Sequence, residues 1–282
     1  TAVKGPVNGA TVSAYSIVNG TMGSQIGSAT TDSQGNFSMS IGAYSGSVML
    51  QMNGGSYTDE ATNTTMNMHA GDVMTAVIPS VTAGSSTTGI QITPLTSMAQ
   101  ARAHDMAGGM SETNITAANS AVGSYFMVSD ILHASPINPL VPNSGTAAGV
   151  DQDRKNYGMA IAAMSKYANA LGMPYSSGII TAMMDDASDG KMDGMMGNTP
   201  ISLNGMGGMM GGGMMLATAG TSSLAAAMNQ FILSLENKSG LSMVDMSALY
   251  NQLSASTGQL QGAGGASVIG MISGTAFMSP FS

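Results

Sequence analysis

A chain of 282 residues exceeds the usual single core of about 100 to 200 residues and points to two modules. Only 8% of its residues are charged, against a typical ~25%, and a formal net charge of −8 has the wrong sign for a nucleic-acid surface. Cysteine is absent, which excludes disulfides, thiolate metal sites and a cysteine nucleophile.

The chain opens at Thr1 with a strand-like pattern and no basic, apolar leader, so it reads as a processed, exported product. Residues 1–92 read as short strands between turns. Val7, Ala10, Val12 and Ala14 lead to Asn19-Gly20, and Ser28 to Thr31 leads to the turn Asp32-Ser33-Gln34-Gly35. Phe37, Met39 and Ile41 alternate with Ser38 and Ser40, the period of a half-buried strand, and Val48, Leu50 and Met52 repeat that alternation before Asn53-Gly54-Gly55. Strands spaced in this way predict a β-sandwich.

The runs Gly5-Pro6-Val7-Asn8-Gly9-Ala10-Thr11-Val12-Ser13-Ala14-Tyr15 and Ala29-Thr30-Thr31-Asp32-Ser33-Gln34-Gly35-Asn36-Phe37 resemble the carboxypeptidase-regulatory-like, transthyretin-like β-sandwich. The resemblance covers about the first third of the chain. It implies that the first run starts a strand after an exposed turn, and that Asp32, Gly35 and Phe37 belong to a hairpin whose aromatic residue enters the core. The segments Gly54 to Ala61 and Ile92-Thr93-Pro94-Leu95-Thr96 resemble parts of large secreted bacterial surface proteins. That likeness implies a module that presents, supports or assembles, located outside the cell.

After Pro94 the apolar period lengthens from two to about 3.6, with Leu95, Met98 and Ala99 on one face and Pro94 in a first helical turn. Ser111 is placed to cap a second helix running to about His133, with Ile115, Ala118, Val122, Tyr125, Phe126 and Ile131 as its buried stripe. Pro136, Pro139, Pro142 and Gly145 mark a loop, and Asp151 starts a helix through about Leu171. Further helices are predicted over about 176–186, 222–237 and 242–256. Between them lies the Gly/Met-rich segment 195–215, and an apolar tail, 262–282, ends the chain. That tail is suited to completing a sheet or joining a neighbouring subunit by strand addition.

Two metal chemistries are candidates. Asp185, Asp186, Asp189 and Asp193, with Gly190 and Gly194, form an acidic turn of the kind calcium favours, although it lacks the alternating ligands and closing Glu of an EF-hand. The alternative is a solvated helix terminus. The 29 methionines include Met66, Met68 and Met74 around His69, Met106 and Met110 near His104, and the run Met206, Met209, Met210, Met214 and Met215. Thioether and imidazole together suit copper, whereas packing is the commoner use of methionine. Nucleophile elbows, zinc-protease motifs and phosphate or dinucleotide loops are all missing, and His69, His104 and His133 stand apart, so no enzyme is expected.

The expectation is an α+β chain: a transthyretin-like or Ig-like β-sandwich over 1–92, then a mainly helical domain over 93–282. The uncharged stretches 73–101, 194–235 and 246–282 suggest surface that becomes covered, and none has the ~18 consecutive apolar residues of a spanning helix. The expected function is a non-enzymatic extracellular structural protein, a self-assembling subunit of a filament, sheath or biofilm matrix, with copies of itself as partner and no required cofactor. The alternative is a methionine-rich copper-binding or storage protein outside the cytoplasm, and an adhesin remains a third reading.

Overall fold

The structure, a computed structural model, describes residues 1–203 and 213–261. Six strands come first: β1 (Thr11–Val18), β2 (Thr21–Thr30), β3 (Gly46–Asn53), β4 (Ser56–Thr58), β5 (Thr65–Asn67) and β6 (Val73–Val81). The helices α1 (Pro94–Asp105), α2 (Glu112–Tyr125), α3 (Gln152–Ala170) and α4 (Gly178–Ser188) follow. The short pair β7 (Met195–Met196) and β8 (Thr199–Pro200) precedes α5 (Ser222–Ile232) and α6 (Ser247–Ala255). The fold is therefore α+β.

The main sheet is antiparallel, with strand order β2-β1-β3-β6, and β4-β5 forms a separate hairpin. Asn19 and Gly20 both take positive φ, 51° and 76°, which a two-residue hairpin turn between β1 and β2 requires. Opposed pairs Val12↔Met52, Ala14↔Leu50, Leu50↔Ala76 and Met52↔Met74 place an apolar set on one face. On the other face the Thr75 hydroxyl meets the Gln100 side chain of α1 at 3.2 Å, and the Asn119 side chain of α2 donates to Val77 O at 3.2 Å. Helices thus cover one side of the sheet.

The stretch 36–42 covers part of the other side without joining the ladder. Phe37, Met39 and Ile41 are half-buried and Ser38 and Ser40 exposed, so the alternation read from the sequence is present, but no strand is formed there. The segment lies over the face: a Cβ on Gly27 would meet Met39 Sδ at 3.3 Å and Ile41 Cγ2 at 3.4 Å. Alternation reports which side chains are buried and says nothing of whether the backbone has a partner.

Helix starts follow their caps. Thr93 and Thr96 form a reciprocal capping box at α1 with Pro94 at the first turn, Ser111 caps α2 through Asn114 N, and Asp151 caps α3 through Arg154 N. The second helix stops at Tyr125, short of the His133 expected, and Met127 follows in the left-handed region at φ 54°. Helix α5 likewise ends at Ile232. Helix α1 packs against β6, α2 and α4, while α3 packs on α5 and α5 on α6. The last strand of the N-terminal part ends at Val81 and the first helix begins at Pro94, and buried side chains on both sides of that connection form one continuous core.

Candidate functional site

The most heavily buried ionic cluster lies where the N-terminal segment meets the helices. Gly5 turns the chain at φ +60°, and a Cβ there would sit 2.6 Å from Thr58 O, so only glycine lets this turn press against the end of β4. That approach sends the neighbouring Lys4 side chain into the interior, where it is wholly buried. Its Nζ donates to Ser165 Oγ of α3 at 2.8 Å and to Ser176 Oγ of the α3–α4 connection at 2.7 Å. Two carboxylates flank it, Asp59 Oδ2 at 3.4 Å and Glu60 Oε2 at 3.6 Å, and Nζ lies 4.7 Å from the centre of the Tyr57 ring.

Each acid is held in place. Asp59 Oδ1 accepts from Ala61 N at 3.0 Å, Thr62 N at 3.1 Å and Thr62 Oγ1 at 3.1 Å. Its Oδ2 accepts from the Ser176 hydroxyl, which is itself bonded to the Tyr57 hydroxyl at 2.9 Å. Glu60 Oε2 accepts from Ser165 Oγ at 2.5 Å. Burial opposes the charged Lys4 amine, but the attraction of Glu60, Tyr57 and Asp59 and the hydrogen bond to Asp59 outweigh it, so the amine lies above the ordinary lysine value. A buried cation thus has two anions and two hydroxyls to satisfy it, which is what a low-dielectric interior demands.

The acidic turn is built differently. Asp186 is fully buried near the end of α4, and its Oδ1 accepts from Asp193 N at 2.9 Å and Gly194 N at 2.6 Å, closing the turn on itself. Its Oδ2 has no hydrogen-bond partner among the described residues. Burial pushes this carboxyl up to about 7, against the lowering effect of the Gly194, Asp193 and Met195 amides and with a further push from the Asp193 charge. Asp189 accepts from Lys191 N and Gly197 N, both through its carboxylate, and Asp193 Oδ2 pairs with Lys191 Nζ at 2.8 Å. Asp185 is partly buried, and burial raises its carboxyl too. Among the described residues no three His, Cys, Asp or Glu side chains form a group that could hold a metal ion.

The methionines divide in the same way. Met66 is half-buried, with its sulfur 4.0 Å from the Tyr57 hydroxyl, while Met68 is buried. His69 is exposed, and its ring lies 5.0 Å from that of Tyr175. Met74 is buried in the sheet. Met110 is buried with its sulfur 3.5 Å from Gln100 Nε2, and His104 is exposed beside a half-buried Met106. Met214 faces solvent while its neighbour Met215 is buried. Met206, Met209 and Met210 lie outside the described residues, as does the tail 262–282.

A cavity of about 640 Å³ opens between the sheet face carrying Val48, Leu50 and Ile78 and the stretches 36–42 and 84–90. Its walls alternate apolar groups such as Phe37 and Met39 with the hydroxyls of Ser85, Ser86 and Thr87, and no charged side chain lines it. Its size falls within the usual small-molecule range of about 300–1,000 Å³.

The sequence had drawn attention to the aspartates and methionines and had not singled out Lys4. Lys4 lies 55, 161 and 172 positions from Asp59, Ser165 and Ser176, and no local pattern links residues so far apart. The one local signal was Gly5, whose turn aims the lysine inward. Comparison with protein-family models, curated proteins and solved structures finds no match to this chain.

Proposed function

We propose that the chain is a non-enzymatic structural protein of the cell exterior, a subunit that associates with copies of itself in a filament, sheath or matrix. The observation that carries this reading is the exposure of large apolar side chains in a chain with few charges. Leu233, Leu235 and Val244 are 75%, 93% and 83% exposed, at the end of α5 and before α6. A soluble monomer usually scatters charge over such surface, and an apolar patch that meets a different site on the next copy propagates head to tail. The N-terminal strands are read as the transthyretin-like sandwich, with 36–42 and the β4–β5 hairpin supplying its second layer. Among the described residues no helix is long and apolar enough to cross a membrane.

The test is light scattering and electron microscopy of the purified chain over a range of concentrations. Regular polymers that are lost in the Leu233→Lys, Leu235→Lys double variant support the proposal, and a chain that stays monomeric at high concentration overturns it.

The cavity favours a second reading, an adhesin that takes an uncharged, hydroxyl-bearing ligand such as a glycan, and a glycan array tests it directly. The copper reading is carried by Met66 and His69, which reach the surface in one short stretch. Elemental analysis of natively sourced protein decides it: stoichiometric copper that disappears when Met66 and Met68 become Leu and His69 becomes Ala would favour copper storage over the scaffold.

A further inference from the structure

The geometry points to a covalent cross-link at the buried cluster: an amide bond between Lys4 Nζ and Asp59 Cγ, formed by the protein on itself with Glu60 as the proton carrier. This inference stands apart from self-association, since it concerns the interior of one chain.

Amide formation between an amine and a carboxyl needs four things. The nucleophile must be held against the carbonyl, and a base must accept its proton. Donors must receive the charge that develops on the carbonyl oxygen, and water must be kept out. The cluster supplies each. Lys4 Nζ is 3.4 Å from Asp59 Oδ2, and both side chains are buried. Glu60 Oε2, 3.6 Å from the amine, is the base, and Ser165 holds it there. Asp59 Oδ1 already accepts two backbone amides and the Thr62 hydroxyl, an arrangement of donors that stabilises an oxyanion on that oxygen. The other oxygen, Oδ2, accepts from the Ser176 hydroxyl and is the one positioned to leave.

The step balances without any co-reactant. The Lys4 ammonium gives one proton to Glu60, and the neutral amine attacks Asp59 Cγ, forming the Nζ–Cγ bond. Glu60 returns its proton to Oδ2, Oδ2 takes a second from the attacking nitrogen, and the Cγ–Oδ2 bond breaks to release one water. An ammonium and a carboxylate become a neutral amide, and Glu60 ends as it began. The ionised cluster buries one cation with two anions, and the product buries only the Glu60 charge. Desolvation of charge is what makes buried ion pairs costly, so the same burial that penalises the pair favours the amide.

The experiment is intact-mass measurement of the folded full-length chain, followed by proteolysis and peptide mapping. The expected result is a mass lower than the sequence mass by one water, with a branched peptide joining the segments around Lys4 and Asp59. In Glu60→Gln, which keeps the side-chain shape and an acceptor for Ser165, the full sequence mass should return, and circular dichroism should show the variant folded. Lys4→Arg should likewise keep its full mass, whether or not it folds. A folded wild-type chain of full sequence mass overturns the proposal. So does a lost water that maps elsewhere, for example to a cyclised aspartate at Asp189-Gly190 or Asp193-Gly194.

Discussion

Replacing Asp186 by Asn should reverse its effect on stability between acid and neutral pH. In the folded chain burial holds this carboxyl at about 7, against the 3.8 of an ordinary aspartate in the unfolded chain. Between those values the folded state keeps a proton that the unfolded state has released, so the contribution of Asp186 to stability is fullest below pH 3.8 and falls as pH rises towards 7. The rise from 3.8 to about 7 corresponds to roughly 4 kcal/mol by pH 8. Asparagine carries no charge and keeps an oxygen for the Asp193 and Gly194 amides, but it brings an amide donor to a position where Oδ2 has no partner, at a cost of about 1 kcal/mol. The variant should therefore be less stable than wild type by about 1 kcal/mol near pH 4 and more stable by about 3 kcal/mol near pH 8. Urea unfolding of both proteins at half-unit steps from pH 4 to 8 measures this, and the difference between them cancels the other titrating groups. Curves that run parallel across that range would refute the assignment of a raised, uncompensated carboxyl at this position.

Lys4→Met should destabilise the fold by about 3–5 kcal/mol in urea, because it leaves Asp59 and Glu60 facing each other in the interior with no cation. Gly20→Ala should cost at least about 2 kcal/mol, since φ is +76° and the new Cβ would meet the Gly108 carbonyl oxygen at 2.1 Å; thermal unfolding reads the loss. Thr93→Ala should cost about 1–2 kcal/mol by removing the cap of α1, which also bonds the Tyr157 hydroxyl at 2.7 Å, and Thr93→Ser should restore most of it.

Features whose cause is local were legible in the sequence. Asn19-Gly20 marked the hairpin because positive φ is a property of those two residues, and Thr93-Pro94, Ser111 and Asp151 marked helix starts because a cap bonds amides only two or three positions on. The end of α2 was less legible. Phe126 and Ile131 continue the buried stripe, but the chain has already turned at Met127, and buried positions after a turn look like one more helical repeat. The alternation at 37–41 was correct for burial and failed for pairing, since a backbone ladder depends on what lies alongside. The candidate sites followed the same division. The acidic turn was visible as a run of acids, but its separate hydrogen bonds depend on how the backbone closes. The Lys4 cluster gathers residues from four parts of the chain and left only a glycine as its local trace.

That cluster also bears on how the two parts of the chain hold together. With only 7 basic residues in the sequence, placing one of them wholly inside is costly, and a buried ion pair by itself is weak evidence for added stability. Its value lies in position. Lys4 and Asp59-Glu60 belong to the strand-rich segment, whereas Ser165 and Ser176 belong to the helical one, and Lys4 Nζ, Asp59 Oδ2 and Glu60 Oε2 have their hydroxyl partners only when both are in place. Displacing α3 and the α3–α4 connection would strip the lysine of both hydroxyls and leave three charges with incomplete partners. An apolar contact tolerates a small slide between layers, because dispersion and burial change gradually with distance. A charged, hydrogen-bonded contact does not, because each lost partner costs a desolvated charge. The interface between strands and helices is therefore fixed by geometry as well as by area. A covalent bond from Lys4 to Asp59 would tie the N-terminal segment to the end of β4 while leaving the serines of the helical part to dock on that bonded unit.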